Sequence, residues 1–172
     1  GRLVHRKGQD QLIEAMPEIL KSVPSAHLLL VGEGPYREHL EKLVTNNNLE
    51  TAVTFIGRIQ YKELPMYICA GNIFAMPSRS RLMGLEVEGL GIVYLEASAC
   101  GLAVLAGNSG GAPDAVVQNK TGLVVDGTDN KQIAAAAIEL LTNVESSQKM
   151  GIAGRQWIVD NWRWETWSKD FE

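Results

Sequence analysis

Short apolar runs alternate with amphipathic stretches along most of this sequence, and this alternation constrains the fold more than any other feature. HLLLV at residues 27–31 is a nearly continuous apolar run, as is typical of a strand that is covered on both faces. Residues 10–23 repeat apolar side chains three and four positions apart, which predicts an amphipathic helix. Strands that alternate with helices form parallel βαβ units. The sequence therefore predicts an α/β fold with an open, doubly wound, Rossmann-like parallel sheet.

Proline and glycine residues mark the ends of the predicted elements. Pro24 ends the first helix, Pro77 stops a strand, and Gly101 lies where a helix ends. We predict strands at residues 27–31, 53–56, 73–76, 103–106 and 122–125. We predict helices at residues 10–23, 36–46, 63–69, 91–99, 113–117, 130–142 and 146–160, and we expect the Trp-rich segment NWRWETW at residues 161–167 to begin a last helix.

The length, charge and cysteines of the chain limit what kind of protein it is. Its 172 residues suffice for one compact domain, and we expect a single domain that lacks its first strand, with residues 1–3 as the exit of that strand. The formal net charge of −4 argues against nucleic-acid binding. No apolar run reaches the length of a membrane span. Cys69 and Cys100 lie in apolar settings, so we expect buried, reduced thiols and a reducing cytoplasm.

Two cations lie in the loop that leaves the expected first strand, at the edge of the sheet where doubly wound folds bind ligands. Arg2 and Lys7 are five residues apart. A guanidinium and an ammonium so placed can together hold a diphosphate, and two solvated surface cations are the alternative. We expect Arg6, which lies between them, to be a surface cation, and we interpret the Gly-Glu-Gly segment at residues 32–34 as a plain turn.

The segment EGLGIVYLE at residues 88–96 gives the clearest indication of a binding site. Gly89 and Gly91 leave backbone amides unshielded just before a predicted helix, and the first N–H groups of a helix favour an anion. Glu88 stands just outside this anion site, and Glu96 lies roughly 8 Å further along the helix axis. Carboxylates accept hydrogen bonds from vicinal sugar hydroxyls, so the pattern predicts a ligand shaped sugar–diphosphate–ribose, with two ordinary surface glutamates as the alternative.

The turn after the second predicted strand is a candidate base-binding segment. Backbone at Gly57 can border a flat ring while Arg58 stacks over it, although a plain strand-to-helix turn explains these residues equally well. The sequence offers no nucleophile, because G-x-S-x-G is absent and Ser109 lacks a His and Asp pair. The three histidines, at positions 5, 27 and 39, do not have the spacing of a metal site.

These segments resemble the C-terminal, donor-binding half of the retaining glycosyltransferases of the two-Rossmann-domain (GT-B) type. The resemblance covers almost the whole chain. It is carried by GRLVHRKG, by the Gly-Arg turn, by the Pro-Ser loop and above all by EGLGIVYLEASACG followed by AGNSGGAPDAV. The segments GRLVHRKGQD and FAMPSRSRLMGLEVEGLGIVYLEASACG are more narrowly similar to the actinobacterial GDP-mannose-dependent phosphatidylinositol mannosyltransferases.

The resemblance implies a role for each matching residue. Arg2 and Lys7 would bind the donor diphosphate, Glu88 would contact the transferred sugar, and these three would be the catalytic residues. Glu96 would bind the ribose hydroxyls. The remaining donor-binding residues implied are Gly57, Arg58 and Ile59 beside the nucleobase, and Gly89, Leu90, Gly91 and Ile92 with backbone amides at the sugar and phosphate.

The resemblance also implies the reaction and the partners. A sugar, mannose from GDP-mannose, would pass with retention to an acceptor hydroxyl, such as one on a phosphatidylinositol-type glycolipid, without a metal, another cofactor or a protein nucleophile. The N-terminal domain, which is absent, would carry most of the acceptor site. The fragment alone is then expected to bind donor weakly and not to catalyse transfer. The enzyme would be cytoplasmic and peripheral on the inner face of the plasma membrane.

Three other functions are kept as alternatives. A non-catalytic nucleotide-binding or regulatory module would lack an N-terminal Rossmann half. A nucleotide-sugar epimerase of similar architecture would need further acid–base carboxylates and histidines, which the sequence does not offer. A dinucleotide oxidoreductase would need G-x-G-x-x-G after the first strand, and GRLVHRKG does not match that pattern.

Overall fold

The structure, a computed structural model, describes residues 1–163. Within them, parallel strands alternate with helices, as the sequence predicted. The strands are β1 (Leu28–Val31), β2 (Val53–Gly57), β3 (Ile73–Met76), β4 (Ala103–Gly107) and β5 (Gly122–Val125). The helices are α1 (Gln9–Ser22), α2 (Arg37–Asn46), α3 (Leu64–Cys69), α4 (Ile92–Ala99), α5 (Asn130–Thr142) and α6 (Val144–Asn161).

Two predicted helices differ from the structure in their details, and a third cannot be compared with it. The predicted helix at residues 63–69 is divided into a 3₁₀ turn, Tyr61–Glu63, and α3. The predicted helix at residues 113–117 is a 3₁₀ turn, Ala112–Ala115, since only four residues are available before the backbone becomes extended at Val116. The last helix predicted from the Trp-rich segment lies mostly outside the described residues.

The strands form two parallel sheets instead of the single sheet that the sequence predicted. β1 pairs with β2, with Leu28 opposite Val53. β3, β4 and β5 form the second sheet, in that order. β1 and β3 face each other across a cavity of about 780 Å³, so no hydrogen-bond ladder joins them directly. The Rossmann-like α/β class is confirmed, with its sheet divided between β1 and β3.

β4 carries the core on both faces of its sheet, because successive side chains of a strand point in opposite directions. Leu105 packs into the cluster that α1 and α5 build, where Ile13 and Ile133 are fully buried. Val104 packs into a second cluster with Tyr94 of α4. All five residues of β4 are buried. The core therefore fixes α4, whose first turn is the predicted anion site, against the centre of the larger sheet.

α4 ends where the sequence predicted. Gly101 adopts a left-handed conformation with a φ of 81°. Its N–H donates to the carbonyl of Ser98 at 2.9 Å, and Leu102 N–H donates to the carbonyl of Ala97 at 3.1 Å. This paired bonding is a Schellman motif, which satisfies the last carbonyls of the helix. The eight residues of α4 thus lie between Gly91, which precedes the helix, and Gly101, which ends it.

The expectation for the cysteines is wrong for Cys69, which is exposed at the end of α3, whereas Cys100 after α4 is partly buried. Both thiols are free. Burial raises the pKa of the Cys100 thiol to about 11, and a hydrogen bond with Cys69 acts in the same direction. Among residues 1–163, no helix has the length and apolar character needed to cross a bilayer.

Candidate functional site

The candidate site is built where the loop before α1 meets the loop before α4. The first loop contains a 3₁₀ turn, His5–Lys7, that ends at Gly8 with a φ of 73°. A Cβ at Gly8 would lie 2.1 Å from the carbonyl oxygen of Pro77, so only glycine permits this contact. Arg79 N–H donates to the carbonyl of Arg6 at 2.9 Å. The backbone of one loop is therefore fixed against the other.

Lys7 and Glu88 form an ion pair at this junction. Lys7 Nζ lies 2.9 Å from Glu88 Oε2, and the two side chains are only 13% and 8% exposed. Glu88 Oε2 is buried and accepts no hydrogen bond from any described residue, so the contact is a charge pair that leaves acceptor capacity free. A buried carboxylate requires a nearby positive charge. Lys7 therefore allows an acid to occupy the edge of a predicted anion site.

The second cation at Glu88 is Arg6, which the sequence analysis placed on the surface. Arg6 Nε lies 3.8 Å from Glu88 Oε2, and Arg6 Nη1 lies 3.4 Å from Glu86 Oε1. The surface assignment of Arg6 was wrong, because the 3₁₀ turn rotates it toward the loop before α4.

Arg2 is exposed in the structure. Its carbonyl accepts a hydrogen bond from Gln9 Nε2 at 3.1 Å, and its side chain is in no ion pair within residues 1–163. The structure thus brings Lys7, but not Arg2, into contact with Glu88. The assignment of Arg2 to the donor diphosphate stays a prediction.

The loop after β4 forms hydrogen bonds with both the N–H and the carbonyl of Glu88. Glu88 N–H donates to Ser109 Oγ at 3.0 Å, and Gly111 N–H donates to the carbonyl of Glu88 at 3.2 Å. A Cβ at Gly110 would lie 1.9 Å from that carbonyl oxygen. Ser109 therefore has a positioning role here, which the search for nucleophiles in the sequence did not reveal. In the sequence, the Gly110-Gly111 pair after a predicted strand was the feature that indicated a close approach of another backbone segment.

α4 begins at a glycine that no other residue can replace without strain. Gly91 has a φ of 71° and a ψ of 63°, and a Cβ there would lie 2.5 Å from Cε2 of Tyr94. Tyr94 is fully buried, and its hydroxyl donates to the carbonyl of Met76 at 2.7 Å while contacting Ser78 Oγ at 2.9 Å. Burial raises the pKa of Tyr94 well above its usual value. The aromatic ring thus anchors the first turn, whose leading N–H groups have no acceptor within the helix.

Glu96 lies further along α4 and faces the turn after β2. Tyr61 Oη donates to Glu96 Oε1 at 3.2 Å, and this hydrogen bond raises the pKa of the Tyr61 phenol. The Gly1 nitrogen lies within electrostatic reach of both Lys7 and Glu96. Glu88, the start of α4 and Glu96 follow one another along the chain, and Lys7 contacts the first of them.

The turn Gly57–Ile59 borders an open hollow of about 450 Å³. Gly57 is left-handed with a φ of 83°, and Arg58 is exposed at the rim. The hollow is lined by Ile56, Arg58, Ile59, Gln60, Glu63 and Tyr67. Tyr61 in the same segment contacts Glu96. Arg58 and Ile59 of the predicted base-binding segment thus line a hollow, and the binding of a base there stays a prediction.

A buried charge network of Arg79 and Asp10, with Tyr36 and His5, adjoins the loop that carries Lys7 and was not predicted from the sequence. Arg79 Nη2 lies 2.5 Å from Asp10 Oδ2, and both side chains are less than 8% exposed. Tyr36 Oη donates to the same Asp10 oxygen at 3.1 Å, and Arg79 Nε donates to His5 Nδ1 at 3.3 Å. These bonds tie α1, the 3₁₀ turn and the loop after β3 together. No cluster of three or more His, Cys, Asp or Glu side chains suited to a metal occurs in residues 1–163.

Comparison with known proteins places this geometry in a family. The family model described as "Glycosyl transferases group 1" matches residues 1–157. The chain is 52% identical over 166 residues to the GDP-mannose-dependent alpha-(1-6)-phosphatidylinositol monomannoside mannosyltransferase of Mycolicibacterium smegmatis, covering 96% of this chain and 44% of that protein. The chain thus spans less than half the length of this relative.

Solved structures of the same architecture match nearly the whole chain. A sucrose-phosphate synthase from Thermosynechococcus elongatus is 32% identical with a TM-score of 0.85, and the match covers 99% of this chain and 42% of that one. The C-terminal domain of a glycosyl transferase group 1 family protein from Francisella tularensis is 28% identical with a TM-score of 0.83, covering 95% and 84%. The chain described here belongs to the group 1 glycosyl transferase family.

Proposed function

We propose that this chain is the C-terminal, donor-binding half of a retaining mannosyltransferase that uses GDP-mannose. The observation that carries the proposal is the largely buried Lys7–Glu88 ion pair, which lies just before the first turn of α4. Glu96 lies about one turn after the start of the same helix. This arrangement offers a cation, backbone N–H groups without an acceptor in the helix, and two carboxylates that can accept hydrogen bonds from hydroxyls.

The order of these groups matches the order of groups in a nucleotide sugar. The diphosphate takes the N–H groups at Gly91 and Ile92 together with the Lys7 ammonium, since helix starts and cations both favour anions. Glu88 accepts hydrogen bonds from hydroxyls of the transferred sugar through Oε1, since Arg6 and Lys7 lie against Oε2. Glu96 accepts hydrogen bonds from the ribose hydroxyls, which replace the hydrogen bond that Tyr61 donates to it in the structure. The guanine occupies the hollow at Gly57–Ile59.

The chemistry we propose depends on positioning and on charge stabilisation. As the bond from the sugar to the diphosphate breaks, negative charge grows on the departing phosphate, and Lys7 and the start of α4 stabilise that charge. The departing phosphate accepts the proton of the acceptor hydroxyl on the same face, which gives retention without a protein nucleophile. We expect no metal requirement, because the cation and the helix start supply the positive charge. Arg2 is retained as a second diphosphate ligand in this proposal.

The acceptor and the missing part of the protein are inferred from the relatives. The name of the mycobacterial relative specifies a phosphatidylinositol monomannoside acceptor, and we propose a glycolipid acceptor of this class for the full-length protein. An N-terminal domain would carry most of its site. Such an acceptor would place the enzyme in the cytoplasm, peripheral on the inner face of the plasma membrane.

A transfer assay on the full-length protein tests the proposal. The protein is incubated with vesicles that contain phosphatidylinositol monomannoside and with GDP-mannose, UDP-glucose or ADP-glucose in parallel. We expect transfer from GDP-mannose alone, competed by GDP more strongly than by UDP or ADP. Transfer from UDP-glucose would overturn the donor assignment, and nucleotide binding without any transfer would favour a non-catalytic module. The chain of residues 1–172 alone is expected to bind GDP weakly and to transfer nothing.

A further inference from the structure

The segment between β3 and α4 contains a small hairpin that lies next to the candidate site. Arg81 and Glu86 form an antiparallel bridge, in which Arg81 N–H donates to the carbonyl of Glu86 at 2.8 Å and Glu86 N–H donates to the carbonyl of Arg81 at 3.2 Å. The two side chains also form an ion pair at 3.0 Å. Four residues lie between them, and we call their three large side chains, Leu82, Met83 and Leu85, the apolar tip.

The apolar tip is exposed to an extent that is unusual for a group of such side chains. Leu82 is 65% exposed, Leu85 is 87% exposed and Met83 is fully exposed, at 104%. Met83 and Leu85 are the most exposed of the large apolar side chains within residues 1–163. Single apolar residues scattered over a protein surface are ordinary, whereas several grouped on one projection indicate a contact with another molecule or an apolar phase.

The backbone of the hairpin directs the apolar tip away from the domain. Leu82 and Met83 adopt left-handed conformations with φ of 50° and 53°, which few residues other than glycine, asparagine and aspartate adopt. A Cβ built at Gly84, the remaining residue of the turn, would meet nothing within 4 Å. The turn therefore projects into open space, and it carries large apolar side chains at positions where an ordinary turn has glycine or short polar residues.

The base of the hairpin carries more positive than negative charge. Glu86 is shared by two arginines, since Arg6 Nη1 lies 3.4 Å from Glu86 Oε1 and Arg81 Nη1 lies 3.0 Å from Glu86 Oε2. The Arg81 side chain is 40% exposed. Residues 1–8 and 79–88, which form the two loops of the site, contain five Lys or Arg residues against two Glu. These loops are therefore positive, although the whole chain has a formal net charge of −4.

We propose that the apolar tip inserts into the interfacial layer of an anionic lipid bilayer. Apolar side chains flanked by basic residues are typical of peripheral membrane binding, since the apolar groups enter the boundary of the acyl chains while the cations stay among the anionic headgroups. A bilayer fits this surface better than a protein partner does, because a projecting turn of four residues offers far less area than a stable protein interface buries.

This membrane contact deepens the proposed function, and its role in catalysis rests on the glycolipid acceptor of that proposal. The hairpin closes at Glu86, two residues before Glu88, the acid assigned to the transferred sugar. With the apolar tip in the bilayer, the Glu88 carboxylate lies close to the headgroup layer, where a glycolipid presents its acceptor hydroxyl. The donor-binding half then contacts the membrane directly, whereas the acceptor site itself is assigned to the N-terminal domain.

Fluorescence quenching by brominated lipids, measured on the full-length protein, tests the proposal. Met83→Trp places an indole on the apolar tip, and Ile152→Trp, at a position of α6 that is 70% exposed, is the matched control. Each variant is mixed with vesicles of phosphatidylinositol and dibrominated phosphatidylcholine, without any nucleotide. We expect the vesicles to quench the added fluorescence of Met83→Trp and to leave that of Ile152→Trp unchanged. Equal quenching of the two variants, or none in either, would overturn the proposal.

Two further results would assign the apolar tip to a protein contact and would also overturn the proposal. Emission of Met83→Trp that is already blue-shifted without vesicles would mean that the N-terminal domain covers the tip. Emission that changes on dilution of the protein would mean that a second copy covers it.

Partition of the full-length protein onto the same vesicles gives a second measurement. Replacing Met83 and Leu85 together by Ser is expected to weaken partition about 10- to 100-fold. Replacing Val144 and Ile152, two exposed apolar residues of α6, by Ser is expected to leave partition unchanged. Equal partition of the two double variants would contradict the proposal. Neither measurement uses the donor, so a failure of sugar transfer would leave both unaffected, and a tip that stays outside the bilayer would not alter GDP binding.

Discussion

Lys7 Nζ lies 2.9 Å from Glu88 Oε2, although the two residues belong to loops that leave different strands. The pair explains how an acid can stand beside an anion-binding helix start. The ammonium neutralises Glu88 in the structure. In the function proposed above, the diphosphate becomes a further anionic partner of Lys7, and Glu88 accepts hydrogen bonds from the hydroxyls of the sugar.

Replacing Glu88 tests whether this residue contacts the transferred sugar and not the diphosphate. For Glu88→Gln in the full-length protein we expect a loss of kcat of about 100-fold or more, the scale found when a group that acts on the transition state is removed. GDP affinity is expected to stay equal or to rise, because Lys7 loses its competing carboxylate. Glu50→Gln, at an exposed position before β2, is the control and is expected to retain activity. Weaker GDP binding in Glu88→Gln would contradict the assignment.

Two neighbouring glycines give a matched test of the helix start. Gly91→Ala introduces a Cβ at a φ of 71° and 2.5 Å from the Tyr94 ring, so we expect a stability loss of roughly 2–4 kcal/mol. At Gly89 nothing lies within 4 Å of a built Cβ, and Gly89→Ala is expected to unfold at nearly the wild-type temperature. The melting temperatures of the two variants, measured by thermal unfolding, test this difference. Equal melting temperatures would show that Tyr94 does not confine this turn.

The ribose assignment of Glu96 is tested by nucleotide affinity. Glu96→Gln is expected to weaken GDP binding about 10- to 100-fold, since hydrogen bonds to a charged group contribute about 1.5–3 kcal/mol. Tyr61→Phe removes only the hydroxyl that Glu96 accepts from in the empty site, so GDP affinity is expected to hold or improve. Glu145→Gln on the surface of α6 serves as the control for loss of charge. If Glu96→Gln binds GDP like this control, the ribose lies elsewhere.

We expect His5 to make the free energy of unfolding depend on pH. Burial and the Arg79 guanidinium lower the pKa of His5, whereas Asp10 raises it. The unfolded chain, with a histidine pKa of about 6.5, therefore binds more protons than the folded chain below that pH. We expect stability to fall as pH decreases from about 7 toward 5, and to fall less steeply in His5→Gln. Urea unfolding across this range measures both slopes, and identical slopes would count against His5.

Much of the fold follows from local patterns, as particular residues show. The apolar period of α1 and α5, the proline after α1 and Gly101 after α4 are each set by chemistry within a few residues. These signals predicted the strands and helices nearly to their ends. The division of the sheet was not predicted, because an apolar run does not reveal whether both of its neighbours are present.

The site was predicted in part for the same reason. The helix start after Gly91 and the two acids of residues 88–96 are local features, and the cation at position 7 could be placed at the same edge by topology. The Arg79–Asp10 pair and the hold of Ser109 on Glu88 join residues distant in sequence. A single sequence carries no signal for such partners. The position of Arg6 beside Glu88 was not predicted, since the conformation of the loop, not the residue type, decides which cation points inward.

Calorimetric titration of GDP into the full-length protein and its Lys7→Ala variant tests the central claim most directly. Lys21→Ala, which removes an exposed ammonium paired with Glu18 on α1, is the matched control. We predict that Lys7→Ala weakens GDP binding about 10- to 100-fold, the loss expected for one charge-assisted contact to phosphate, while Lys21→Ala binds GDP like the wild type. Unchanged GDP affinity in a folded Lys7→Ala variant would contradict the account, because the diphosphate would then not lie between Lys7 and the start of α4.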